Sequence, residues 1–261
     1  MVKLSFMRKS INILALLSCF AVSCKYNEVV EASYPDQKIY FPAAREGRFT
    51  INNVAEPGQP FRYEVNQEKF NIPLSVFRGA VSRSGGIAVN IQVNNDTINR
   101  LITDGTLLNT ELLPADQYTI PTTVQIDNGQ ESAQMAVSIN MAYLVANAGK
   151  QKALCLKLSG SGVSTNPALD KLVLLIDPIM FTPVAAFQAA PKTGDPKTIR
   201  FSNQSKYALK YSWNFGDNGA SELKSPEHKY TAAGTYEVTL TAEGIAGAPK
   251  KHTYKTTITV L

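Results

Sequence analysis

Few residues in this 261-residue sequence are of a type that does covalent or acid–base chemistry. Cys19, Cys24 and Cys155 supply the thiols, and His228 and His252 the imidazoles. The two histidines have no ligand spacing such as His-x-x-x-His, which excludes an ordinary zinc site. A glycosidase needs two carboxyl groups facing a sugar across about 5–10 Å. The candidate acids are Asp96, Asp104, Glu111, Asp116, Asp127 and Glu131. Most fall in turn-like segments, where Asp and Asn serve the backbone. Asp217 with Asn218 lacks the Asp-x-Asp-x-Asp-Gly ladder of a calcium loop. Neither a phosphate loop nor a Gly-x-Ser-x-Gly elbow is present. The chemistry-bearing residues therefore predict no enzyme, no metal and no cofactor.

The cysteines divide by context. Cys155 lies between Leu154 and Leu156 with no His or Asn pattern around it, and reads as a small packing residue. Cys19 and Cys24 close the N-terminal segment. Met1–Ser10 carries Lys3, Arg8 and Lys9 without an acid, and Ile11–Val22 is almost wholly apolar. That arrangement is a secretory signal. Its apolar run falls short of the about 20 residues a transmembrane helix needs. Ala21-Val22-Ser23-Cys24 resembles a lipobox. The resemblance implies cleavage after residue 23 and acylation of Cys24, and several acyl chains give a stable anchor. Leu16-Leu17-Ser18-Cys19 also fits, with the better leucine, so Cys19 is the alternative. Cys24 is preferred because Phe20-Ala21-Val22 continues the apolar run and polar Lys25–Glu28 follows it. Residues 1–23 are then the signal peptide and 24–32 the linker to the anchor. The expected location is the bacterial outer membrane, at the cell surface, with the membrane itself as a partner.

The body must position whatever else the protein does. A length of 261 residues suggests two domains at roughly 150 residues each. The hydrophobic fraction, 44%, argues against disorder. Formal charge is +5, and loss of Lys3, Arg8 and Lys9 leaves +2. The remaining Lys and Arg are scattered, which excludes a nucleic-acid partner.

Period-two alternation, the mark of half-buried strands, recurs after residue 28. Phe70, Ile72, Leu74 and Val76 share one face, as do Val89, Ile91 and Val93. The same holds for Tyr118, Ile120, Val124 and Ile126, and for Met135, Val137, Ile139 and Met141. Leu154, Leu156 and Leu158 follow, then the apolar run Leu172–Ile176. Turn residues separate the runs, and Asn128-Gly129 predicts a hairpin. Asp96–Leu108 reads as a short helical turn or a crossing loop. Tyr63, Phe77 and Tyr143 are assigned to the core rather than to a sugar platform. From Pro183 onward, Tyr211, Trp213 and Phe215 share a face, as do Tyr236, Val238 and Leu240, and Tyr254, Thr256, Ile258 and Val260. The expected fold is all-β: two antiparallel, immunoglobulin-like β-sandwiches in tandem after the lipoprotein signal peptide.

Residues 183–261 resemble the PKD (polycystic kidney disease) domain. Trp213-Asn214-Phe215-Gly216-Asp217 carries the resemblance, with Pro226–Tyr230 and Gly234–Leu240 in the same order. It implies an immunoglobulin-like sandwich in which Trp213 belongs to the core and His228 is structural. Asn218 departs from the pattern, where glycine is frequent. The first domain is expected over residues 33–180, and about residues 29–180 resemble an N-terminal domain of unknown function from Bacteroidota surface lipoproteins. The residues that carry this are Tyr34–Ala44, Leu113–Tyr118 and Val124–Gly129. It implies a glycan-associated or adhesive role, with a glycan or surface protein as partner, and transfers no catalytic residue. The alternative is a structural spacer or assembly subunit of an outer-membrane or fibre complex. Radiolabelled palmitate should mark the wild type and Cys19→Ala but not Cys24→Ala; label retained by Cys24→Ala moves the anchor to Cys19.

Overall fold

The computed structural model describes residues 37–54, 63–66, 68–79, 82–160, 162–247 and 250–261. Cys19, Cys24 and the signal segment lie outside the described residues. The protein is all-β, with two sandwiches in succession, each holding its own core.

The first sandwich begins with β1 (Lys38–Tyr40), β2 (Arg48–Ile51), β3 (Glu64–Val65), β4 (Lys69–Gly79), β5 (Ile87–Val93) and β6 (Thr110–Leu112). It continues with β7 (Tyr118–Thr119), β8 (Thr123–Ile126), β9 (Ser132–Asn140), β10 (Gln151–Gly160), β11 (Ser164–Thr165) and β12 (Lys171–Ile176). One sheet runs β11-β1-β4-β9-β7, with β3 beside β4. The other runs β2-β12-β10-β5-β8, with β6 beside β10. The expected antiparallel order holds for the long strands. Three pairings are parallel instead: β1 with β11, β6 with β10, and β2 with β12. Each brings a short segment to the edge through a long connection, and alternation carries no information on strand direction.

The inward faces are those the alternation predicts. Phe70, Ile72, Leu74 and Val76 are buried, and Phe70, Ile72 and Leu74 stand opposite Ile139, Val137 and Met135 of β9. Pro73 is tolerated in mid-strand because it falls between the stretches of β4 that pair with β3 and with β1. β10 and β12 are buried on both faces, which explains their nearly unbroken apolar runs. Even-numbered residues such as Leu154 and Leu174 face the main core. Ala153, Cys155, Val173 and Leu175 face a second cluster completed by Ile98 and Leu107. Ile98 belongs to helix α1 (Asn95–Thr103), within the segment predicted to hold a helical turn. Asn94 caps it by accepting from the Thr97 amide at 3.0 Å.

Two expectations fail locally. Strand β9 stops at Asn140, and Met141 opens a second helix, α2 (Met141–Ala146). Asn140 caps this helix, accepting from the Tyr143 amide. Residues 118–126 do not form one strand either: β7 joins the β9 sheet, whereas β8 joins β5. Pro121 lies in the break between them.

The Asn128-Gly129 hairpin is also absent. The turn forms, with Gly129 at φ 82° and Gln130 N–H donating to Asp127 O at 3.0 Å. Its flanking strands pair elsewhere, however. Ile126 of β8 stands opposite Ile87, and Ser132 of β9 opposite Phe77. The chain therefore crosses from one sheet to the other at this turn. It crosses again between β4 and β5 through Ser84-Gly85-Gly86.

Arg78 holds both crossings. It occupies the next inward position of β4 after Val76 and is 2% exposed. Its Nε donates to Gln130 O at 2.6 Å and its Nη2 to Asp127 O at 2.7 Å. Its Nη1 donates to Gly85 O at 2.8 Å, with longer bonds to Ser84 O and Gln37 Oε1. The planar fork satisfies carbonyls that have no ladder partner, a geometry lysine cannot reproduce.

The second sandwich comprises β13 (Phe187–Lys192), β14 (Asp195–Asn203), β15 (Lys210–Asn214), β16 (Ala220–Ser221), β17 (Glu227–Lys229), β18 (Gly234–Glu243) and β19 (Lys251–Val260). One sheet is β13-β14-β17 and the other β16-β15-β18-β19, all antiparallel. Between them pack Phe187, Phe201, Trp213, Phe215, Tyr230, Val238 and Leu240. The Phe187 and Trp213 rings meet at 5.0 Å, near edge-on. Tyr207 and Ile245 pack instead against the first core and join the two sandwiches. His252 is exposed, and its Nδ1 accepts from the Ala185 amide at 2.9 Å. Ala185 precedes β13, so this bond fixes the start of the second unit.

Arg78→Ala should lower unfolding stability by about 3 kcal/mol, because a buried side chain and its bonds to both crossings are lost at once. Arg78→Lys should recover less than half of that loss. Urea unfolding measures both, and a change below about 0.5 kcal/mol for Arg78→Ala contradicts the clamp.

Candidate functional site

The candidate acids are dispersed and individually employed. Asp104 accepts from the Thr106 amide, and its bonds to Thr106 hold its carboxyl below the usual range. Glu131 pairs with Arg83 at 2.9 Å on the surface. Asp116 accepts from Gln117, and Asp127 lends its main-chain carbonyl to Arg78. Asp96 lies in the first turn of α1. Glu111 accepts from Lys152, an almost fully buried lysine that stands beside it on β10. Lys152 Nζ also lies 5.7 Å from the centre of the Tyr143 ring. This pair compensates the charge of a core-facing lysine. No group of three or more His, Cys, Asp or Glu residues among the described residues could hold a metal ion. Cys155 is fully buried, and burial pushes its thiol up, away from the reactive thiolate.

Of the aromatic residues considered, Tyr63 is buried and Phe77 and Tyr143 are partly buried. Trp213 is 1% exposed, with its indole N–H donating to Leu223 O at 2.9 Å, so it offers no face to a sugar.

The PKD-like motif builds one compact polar cluster. His228 stacks on Phe215 at 4.1 Å, and its Nε2 lies 2.7 Å from Asp217 Oδ2. The other carboxyl oxygen accepts from the Gly219 amide at 2.9 Å. A Cβ at Gly219 would stand 2.5 Å from His228 Cε1, so glycine makes room for the pair. Asn218 adopts φ 71°, a left-handed turn position that asparagine tolerates. Tyr230 donates to Phe215 O at 3.0 Å and closes the cluster. An Asp–His pair resembles half of a catalytic triad. Here Phe215 covers the imidazole face and no hydroxyl or thiol among the described residues is bonded to it, so the cluster fixes the turn between β15 and β16.

One feature with the geometry of a binding site is a cleft where the sandwiches meet. Its volume is about 690 Å³. Asn53 and Val54, just after β2, form one side. The turn Ser205–Leu209, Tyr211 of β15, and Glu222 with Lys224 form the other. A second hollow of about 440 Å³ shares Leu209, Tyr211 and Glu222, and extends across β15 to Glu243 and Lys251. Together they make one furrow of mixed polar and apolar lining.

Its walls are fixed before any ligand arrives. Tyr207 adopts φ 54°, held in that strained conformation by its packing on the first core. Lys206 and Val184 exchange two backbone bonds at 2.9 Å. Asn203 Nδ2 donates to Lys224 O at 2.8 Å, and Trp213 holds Leu223 O. Tyr211 donates to Ala208 O at 3.2 Å. Glu243 directs one oxygen to Lys210 at 3.6 Å and the other to Lys251 at 3.2 Å. Among the described residues that leaves Glu222 as the furrow carboxylate without an ion pair, and one carboxylate does not make an acid–base pair. The furrow thus supplies ammonium, amide and hydroxyl groups beside two tyrosine rings. Sequence reasoning missed it because its residues come from separate turns and both sandwiches.

These features define a tandem β-sandwich protein whose second unit is immunoglobulin-like. Residues 34–164 match a family described as an N-terminal domain, and residues 181–260 match the PKD domain family. The first match covers just over half of the chain, which therefore belongs to that N-terminal-domain family. Neither family is described as an enzyme family. The PKD1 domain of the Vibrio cholerae metalloprotease PrtV is 31% identical over 30% of this chain and 96% of that one, with a TM-score of 0.28. A Bacteroides ovatus protein provisionally described as carbohydrate binding is 16% identical, over 86% of this chain and 61% of that one, with a TM-score of 0.40. The chain thus spans about three fifths of the length of that protein. An auxiliary nutrient binding protein of Bacteroides thetaiotaomicron is 14% identical, over 81% of this chain and 70% of that one, with a TM-score of 0.38. Among curated proteins, none matches the chain.

The Asp217–His228 pair sets an acid limit on the second sandwich. Partial burial pushes the Asp217 carboxyl up, but the bonds from His228 and Gly219 outweigh it and hold the carboxyl below its ordinary range. A depressed folded value contributes stability above the unfolded value, lost as pH falls through the folded one. The chain has a single tryptophan, so Trp213 fluorescence reports this core alone. At fixed urea, the wild type should lose that signal on acidification below about pH 4, and Asp217→Asn should show a flatter dependence there. Equal slopes would assign the acid sensitivity to other carboxylates.

Proposed function

We propose that this protein is a non-enzymatic lipoprotein of the bacterial cell surface that binds an extracellular glycan in the furrow between its sandwiches. The observation that carries the reading is the furrow itself, an open cleft of mixed polar and apolar lining with two tyrosines and fixed walls. Glycans present hydroxyl groups and apolar ring faces. Donors and acceptors on rigid backbone, beside aromatic rings, recognise both at little ordering cost. Acylation at Cys24 would place this cleft on the end of a short linker at the membrane surface, the position from which a capture protein works.

Residues 25–261 retain every described strand and both cores, and suit a soluble test. Electrophoresis through gels containing xylan, mannan, galactan or polygalacturonate should retard this form on at least one polymer. Tyr211→Ala should lower that retardation by about tenfold, the effect of losing one stacking and polar contact. Migration unaffected by every polymer, with co-purification of an outer-membrane or fibre component, would instead establish the spacer role.

A further inference from the structure

The furrow carries a charge that the whole chain conceals. Residues 181–261 hold ten Lys and Arg against six Asp and Glu, whereas residues 33–180 hold twelve against thirteen. The positive charge of the mature protein therefore resides in the PKD unit. Five of the six acids there are already engaged: Asp195 with Lys229, Asp217 with His228, Glu227 with Lys192 and Arg200, Glu237 with Lys255, and Glu243 with Lys210 and Lys251. The furrow collects Lys206, Lys210, Lys224 and Lys251 against Glu222 and Glu243. Lys206 makes no ion pair among the described residues, and Glu243 balances only one of its two lysines. Among the described residues the furrow thus carries more positive than negative charge, and such an excess raises the local concentration of anionic ligands.

We infer that the furrow selects anionic polysaccharides, polymers whose sugars bear carboxylate or sulfate groups, with Lys206 and Lys224 contacting the acid groups and Tyr207 and Tyr211 the rings. This deepens the glycan-binding reading above and rests on it. An acidic peptide is a poorer fit. Peptide grooves present apolar pockets or a free strand edge, whereas this cleft is lined chiefly by Lys, Glu, Ser, Asn and Tyr. Lysine ammonium groups act as point charges and accept carboxylate and sulfate alike, so the test separates the two.

The soluble form is titrated with polygalacturonate, dextran sulfate, neutral dextran and poly-glutamate, at low salt and at 1 M NaCl. Binding to polygalacturonate, to dextran sulfate or to both is expected, at least tenfold tighter than to dextran. At 1 M salt the screening length shrinks to about 3 Å and that preference should vanish. The double variant Lys206→Gln with Lys224→Gln should lose about tenfold in affinity. Both side chains are exposed, where a lost surface contact costs at most about 1 kcal/mol, so its melting temperature should change little. Lys197→Gln, whose lysine donates to Thr231 O outside the furrow, should bind as wild type. Equal or tighter binding to dextran, or indifference to the double substitution, overturns the charge selectivity while leaving glycan binding intact. Poly-glutamate bound as tightly as the acidic sugars overturns the assignment to glycans. Failure to bind any of the polysaccharides here and in the gels defeats the glycan reading as a whole.

Discussion

The first sandwich depends on one buried guanidinium. Two sheets pressed face to face need the chain to pass between them, and each passage strands carbonyl groups outside any ladder. Arg78 collects those of Gly85, Asp127 and Gln130 at the end of the core. The β4–β5 and β8–β9 crossings are held by the same side chain, so neither can move alone. Such an arginine lies at the end of an otherwise apolar face, where its stem continues the packing of Val76 and its head replaces water.

Much of the architecture was legible in the residues. The inward positions of β4, β9, β10 and β18 follow from period-two patterns, and buried Trp213 and Phe215 occupy the places the PKD resemblance implies. What alternation does not encode is partnership. It marks which side of a strand is buried, but not which sheet the strand joins or in what direction. Asn128-Gly129 specifies a chain reversal, and only the competing bonds from Arg78 and the Ile87–Ile126 register make that reversal a crossing. Met141 matches the face of the preceding strand, yet the Asn140 cap converts the chain to helix at that point.

The furrow was illegible for a related reason. Its groups are individually ordinary lysines, serines and tyrosines in turns, and nothing in their spacing marks them. They converge because Tyr207, held in a left-handed conformation, turns the β14–β15 connection against the first core. The same convergence concentrates charge, since it brings four lysines together against two glutamates. The site is thus a product of how two self-sufficient sandwiches are joined, and neither sandwich alone encloses it.

The last strand also determines how the molecule would respond to pulling. β19 leaves the junction beside His252, which is tied to Ala185, and runs outward to Val260 opposite Gly234. A pull on Val260 directed along β19 would act parallel to the strand rather than across it. Its ten residues are in register with β18 throughout, so their hydrogen bonds would be sheared together instead of parting one after another. Such a pull would meet the longest continuous ladder among the described strands.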